Sequence, residues 1–257
     1  TKKVKMRKIH LLLATATIYL CLPAAECVFE KTIESFLKEL SVRMCHPIPN
    51  LGLPALDPLT VNHAETAMDN KYLIDFTGSI DNFKVHGLSD FVINKLSINI
   101  VPGVTRSTIN VTFPYTYLKS IYTAKGSLAY ILNLAGDGNA ETTITDFNFE
   151  ISWRIKASIG PLAITALKID MLLGDLKINF DNLLEEERIN NFVHALVNEM
   201  GVELLGDIWN YEQPTAIDKV ETIINSKLPD LLKLITGGNG GEGPPVFDGV
   251  EPDCKSE

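Results

Sequence analysis

The residues of this chain whose chemistry could be catalytic are few and far apart. Beyond residue 25 there are four histidines, His46, His63, His86 and His194. None has an acidic or cysteine partner at the spacing of a metal site or a nucleophile–base pair. There is no Gly-x-Ser-x-Gly elbow, no His-Glu-x-x-His and no glycine loop able to cradle phosphate. Asp137-Gly-Asn-Ala-Glu141 begins like a calcium loop. Thr142 stands where that loop needs its sixth-place glycine and Asn148 where it needs its twelfth-place glutamate, so a hairpin turn is expected instead. His194 falls on the polar arc of a helical pattern and is read as a plain surface residue. No catalytic residue, metal or catalytic cofactor is assigned, which makes the chain a non-enzyme. Two modifications do have candidates. Asn110-Val111-Thr112 is an N-glycosylation sequon, with Asn110 on an outward position of an alternating strand. Of the four cysteines, Cys254 is expected to pair with Cys27 or Cys45. With a helix between them, Cys27 and Cys45 would stand roughly 27 Å apart, beyond the ~7 Å that a bridge can span.

The elements that position these residues follow from periodicity. Met6-Arg-Lys, the apolar run from Ile9 to Leu22 and Pro23-Ala-Ala25 make a secretory signal, so residues 1–25 are set apart from the fold. That segment removes five of the 23 basic residues and no acids, leaving 18 against 32, a formal charge of −14. Nucleic acid is thereby excluded as a partner, and no later run of ~18 uncharged apolar residues provides a stable membrane insertion. From Val28 to Arg43, Phe29, Ile33, Phe36, Leu37 and Leu40 recur at helical spacing. Residues 45–59 carry four prolines and read as an extended surface connector. From Tyr72 to about Phe180 the period becomes two, as in Ile109/Val111/Phe113 and Phe147/Phe149/Ile151/Trp153/Ile155. Turn signals at Asp81-Asn82, Pro102-Gly103, Gly136–Asn139, Gly160-Pro161 and Gly174-Asp175 separate antiparallel strands.

Residues 181–211 then form an amphipathic helix. Its apolar arc of Ile189, Phe192, Val193, Leu196, Val197 and Met200 rotates by roughly a third of a turn after Gly201. One flat surface cannot bury both halves, so the pattern demands a bend at Gly201 or a neighbour that curls around the helix. A second helix is expected from Thr215, after Pro214, and a short apolar piece at 228–234 around Pro229. The organisation is a signal at 1–25, one domain at 26–235 and a flexible acidic Gly/Pro-rich tail at 236–257. The fold class is α+β, a long C-terminal helix wrapped by a strongly curved antiparallel sheet. The inward apolar positions can pack a solid core, or they can line an apolar tunnel where a helix inside a curled sheet is hard to fill.

Pro49-Asn-Leu-Gly-Leu-Pro-Ala-Leu-Asp-Pro-Leu59 resembles the proline-rich stretch of the insect takeout and haemolymph juvenile-hormone-binding proteins. Gly87 to Ile93, Phe113-Pro114, Tyr122 to Gly126 and Gly136-Asp-Gly-Asn follow in an order similar to theirs, over about Val28 to Leu232. The cysteines depart from the pattern, since Cys27 and Cys45 are 18 positions apart and Cys254 is extra. The resemblance implies a carrier secreted into haemolymph or another fluid, with a hydrophobic small molecule in its tunnel: a juvenile hormone or other terpenoid, a carotenoid or a fatty acid. The wall residues expected are Ile98, Phe113, Tyr130, Phe149 and Trp153 from strands, with Phe192, Leu196 and Met200 from the helix. The alternative is a surface-active or immune lipid-binding module acting on lipid aggregates.

Overall fold

The structure is a computed structural model, which describes residues 29–70, 74–103, 105–128, 132–156, 162–184, 187–235 and 245–254. The expected signal, Cys27, Tyr130 and the turn at Gly160-Pro161 lie outside them. A first helix, α1 (residues 29–41), precedes seven strands: β1 (Leu59–Asn70), β2 (Ile74–His86), β3 (Val92–Ser97), β4 (Ser107–Leu128), β5 (Leu132–Ile155), β6 (Ile164–Leu172) and β7 (Asp175–Phe180). The long helix α2 (Glu187–Ile235) follows. All strand pairs are antiparallel, in the order β1-β2-β4-β5-β6, with β3 beside β4 and β7 beside β5. The fold is α+β, as the alternation implied.

Three expected boundaries are overturned. Gly136–Asn139 is no turn but part of the 24-residue strand β5. A Cβ on Gly136 would lie 2.3 Å from the carbonyl oxygen of Asn182, and one on Gly138 2.8 Å from Cβ of Asp181. Glycine is there because the chain at 181–183 crosses the strand at backbone distance. Asp81-Asn82 likewise lies inside β2, where Asn82 adopts φ 51° at an irregularity in pairing rather than a chain reversal. Nor does the chain end a helix before Pro214. α2 runs unbroken for 49 residues through Pro214 and Pro229. Pro214 faces solvent, as does Asn210, whose carbonyl it leaves without a helical donor, so water can complete that bond. β1 lies ahead of the expected strand region, because its odd positions change from Leu59 and Val61 to His63 and Glu65 and no clean period survives.

Length explains how these pieces combine. At ~3.3 Å per residue the 24 residues of β5 extend about 80 Å, and at 1.5 Å the 49 residues of α2 extend about 74 Å. Helix and strand are therefore matched, and α2 runs alongside β5 on the edge made by β7 and then β6. The sheet is open and does not close round the helix. Instead the polar side chains of α2 complete that edge. His194 Nε2 accepts from the Phe180 N–H at 2.8 Å and Asn198 Oδ1 from Ile178 N–H at 2.7 Å. Further along, Gln213 donates to Ile169 O, a Glu221 carboxylate accepts from Leu167 N–H, and Asn225 bridges both the N–H and the C=O of Ile164. An exposed strand edge is thus satisfied by side chains at helical spacing. His194 is consequently not a plain surface residue: its Nε2 must be the acceptor, so Nδ1 carries the proton given to Asn190 O.

The alternation of β4 and β5 resets in the middle. Val111 is buried on the odd set of the first half, whereas Thr116, Ser120, Tyr122 and Ala124 are buried on the even set of the second. Between them Pro114 and Asp146 drop out of the pairing and Asp146 adopts φ 50°. In the second half Tyr122 and Ala124, with Ala140 of β5, are covered by Phe180 and Leu183. Gly201 marks a close approach, since a Cβ there would meet Leu176 Cδ2 at 2.7 Å.

The segment 245–254 packs into the fold. Val246 and Ile48 are each 0% exposed, and Phe247 stacks on Phe36 with centroids 5.5 Å apart. Burial of Ile48 also means that the proline-rich connector is no mere surface strap. Cys254 pairs with Cys45, Cα atoms 5.5 Å apart, which closes the choice left open by spacing.

Candidate hydrophobic-ligand site

Among the described residues, a large apolar cluster lies where the middle and later turns of α2 cross β5 and β6. Ile155, Ile164, Leu167 and Ile169 are buried at its floor, and Phe149, Ile151, Trp153, Met171, Trp209, Ile217, Val220, Ile224 and Leu228 pack around them while remaining partly exposed. Local sequence accounts for each contribution. Phe149, Ile151 and Trp153 are successive odd positions of β5, Ile169 pairs with Ile151 and Met171 with Phe149, and Ile217, Val220, Ile224 and Leu228 recur at three and four on α2. Nine partly buried apolar side chains thus pack on a buried apolar floor, with few groups among them able to do chemistry.

The expected wall residues divide. Phe149 and Trp153 meet in this seam. Phe113 lies outside it on β4, paired with Phe147 of β5 and stacked on that ring at 5.8 Å, with Phe91 at its edge. Ile98 is buried at the end of β3, where Glu30 of α1 accepts its N–H. Phe192, Leu196 and Met200 do not join them. They are 63%, 37% and 50% exposed, in a row of their own, because Val193 is the residue of that turn directed into the protein. Trp209, on the helix expected over 181–211, Ile217, Val220 and Ile224, on the second expected helix, and Leu228, in the expected short apolar piece, also pack in this seam.

The remaining polar groups form structural arrangements. Tyr122, whose hydroxyl donates to Asp181 O at 2.5 Å, is pushed up to about 12, by burial first and then by the nearby Asp181 and Asp137 charges. His63 is raised above its ordinary value by its hydrogen bond with Asp81 at 2.6 Å and by Glu65. Among the described residues, Cys45, His46, Asp253 and Cys254 bring metal-type ligand atoms within 4.8 Å of one another. Both sulfurs are committed to the disulfide, and His46 is bonded to Asp253 at 2.5 Å, which holds that carboxyl below its usual value. Asn110 sits half-buried in a cross-strand lattice. Its amide donates to Asn148 and Glu150, and its oxygen accepts from Asn94 and Asn148. A sugar on that nitrogen would leave it one hydrogen for two acceptors.

Comparison with known proteins places this geometry. The family described as haemolymph juvenile hormone binding protein matches residues 16–236. The chain belongs to that family. Among solved structures, Takeout 1 of Epiphyas postvittana is similar at a TM-score of 0.55 and 14% identity, over 76% of this chain and 88% of that one. A lipopolysaccharide binding protein matches at a TM-score of 0.34 and 10% identity, over 69% of this chain and 35% of that one. No curated protein matches in sequence. A juvenile hormone binding protein family member that shares the takeout fold is a binder of hydrophobic ligands in general terms. Among the described residues no helix is long and apolar enough to cross a membrane.

Proposed function

We propose that this chain is a secreted carrier that takes one small hydrophobic molecule, a juvenile hormone or other terpenoid, a carotenoid or a fatty acid, into an internal tunnel beside α2 and performs no chemistry on it. The observation that supports this reading most is the partly buried apolar seam along β5, β6 and the later turns of α2. Burying about 300 Å² of ligand there would contribute roughly 7 kcal/mol before the cost of association. Such a gain depends on area and shape, so it suits a ligand with a long apolar body. Native mass spectrometry and solvent extraction of the secreted protein test it: one bound apolar molecule per chain is expected. Failure to recover any, together with failure of hydrophobic fluorescent probes to bind, overturns the proposal.

A second reading rests on Phe192, Leu196 and Met200, spaced by four, which leave an apolar row uncovered on α2. Such a row suits a module that engages lipid aggregates. Flotation with neutral liposomes separates the readings, because a carrier stays in the dense fraction.

A further inference from the structure

Trp209 contributes more to the seam than apolar area. Its indole Nε1 is buried and has no hydrogen-bond acceptor among the described residues, while the ring packs against the buried floor of the seam. The neighbouring polar contact is already taken: Gln213, one turn further along α2, donates to Ile169 O. An indole N–H has one hydrogen to give and no capacity to accept. Leaving it dry and unpaired is unfavourable, and native proteins rarely tolerate it without a reason. Replacing it with phenylalanine would keep most of the ring contact and remove the unmet donor.

We infer that Trp209 Nε1 is the polar anchor of the ligand site, donating to an oxygen acceptor on an otherwise apolar ligand, such as a ketone, ester, ether or epoxide oxygen. This rests on the carrier reading and adds a chemical requirement to it. A pure hydrocarbon would fill the seam but leave the donor unmet. An acceptor-bearing molecule of equal length would displace the side chains that cover Nε1 and complete the bond in a dry setting, where hydrogen bonds discriminate most strongly.

The test compares 2-dodecanone with dodecane, each displacing N-phenyl-1-naphthylamine from the full chain and from Trp209→Phe. The wild type is expected to favour the ketone by roughly tenfold, the size of one net hydrogen bond. Trp209→Phe should lose that preference and melt at the same or a higher temperature. Because the chain has two tryptophans, Trp153 and Trp209, the wild type offers an independent reading. One of its two indole N–H resonances should move downfield with 2-dodecanone and not with dodecane. Retained ketone preference in the variant, equal weakening of both ligands, or an unmoved indole resonance overturns the Trp209 assignment alone. If neither molecule displaces the probe from the wild type, the carrier reading falls and the assignment falls with it.

Discussion

Asn225→Leu tests whether α2 is held to the sheet by side chains that finish its edge. Asn225 spans the β6 backbone, accepting from Ile164 N–H at 2.7 Å and donating to Ile164 O at 3.0 Å. Ile164 is buried, so water has poor access to either group once the amide is gone. Each stranded backbone group costs about 1–3 kcal/mol. Partial relief by water entering at the edge brings the sum to about 2–4 kcal/mol, against a typical total stability of 5–15 kcal/mol. Leucine keeps the volume, which separates lost hydrogen bonding from a packing defect. Urea unfolding should show a lower midpoint with an unchanged slope, and the Ile164 amide should lose its protection from hydrogen exchange. Thr222→Ala, which removes only an exposed bond to Asp218 O within the same helix, is the control and should stay within about 0.5 kcal/mol. A loss below about 0.5 kcal/mol for Asn225→Leu, with Ile164 still protected, would refute the edge-completion argument.

Other consequences follow from the same geometry. Cys254→Ser opens a bridge between residues 209 apart, and should cost about 2–5 kcal/mol by chemical denaturation, while making Phe247 accessible to limited proteolysis. His63 should titrate by NMR above its ordinary 6.5, and Asp81→Asn should bring it back down. Its folded value is raised, so its stabilisation is complete below about 6.5 and is lost as pH climbs through the folded value. Alkaline absorbance titration should show one tyrosine ionising late, near 12, and absent in Tyr122→Phe. Because the folded value is again the raised one, stability should decline between about pH 10 and 12. Finally, glycosidase treatment should leave the mass unchanged at Asn110, whose two amide hydrogens are both engaged.

What could be read from the sequence was periodic, and what could not was long-range. Alternation of Phe149, Ile151 and Trp153 was enough to put them on one face of one strand, and the stripe of Ile217, Val220 and Ile224 pointed to helix. Proline at 214 argued locally for two helices. The partners that override it, Gln213 on Ile169 and Asn225 on Ile164, are about 44 and 61 residues away in sequence and invisible to any window. Glycines 136 and 138 have the composition of a turn, because a turn and a close crossing both require a missing Cβ. Phe192, Leu196 and Met200 lie on the same arc as Val193 and Val197, and a helical wheel does not say which side of a broad stripe meets the sheet. The reset of alternation at Pro114 and Asp146 is likewise a property of two paired strands together.

The most direct measurement is methyl NMR on the full chain labelled at isoleucine, leucine and valine, titrated with 2-dodecanone. A ligand lodged beside α2 and β5 should shift the methyls of Ile151, Ile217, Val220 and Ile224 while leaving Ile48 and Val246, in the disulfide-linked cluster, unmoved. Saturable binding that shifts only the latter pair, or no saturable change at the former four, would contradict the account.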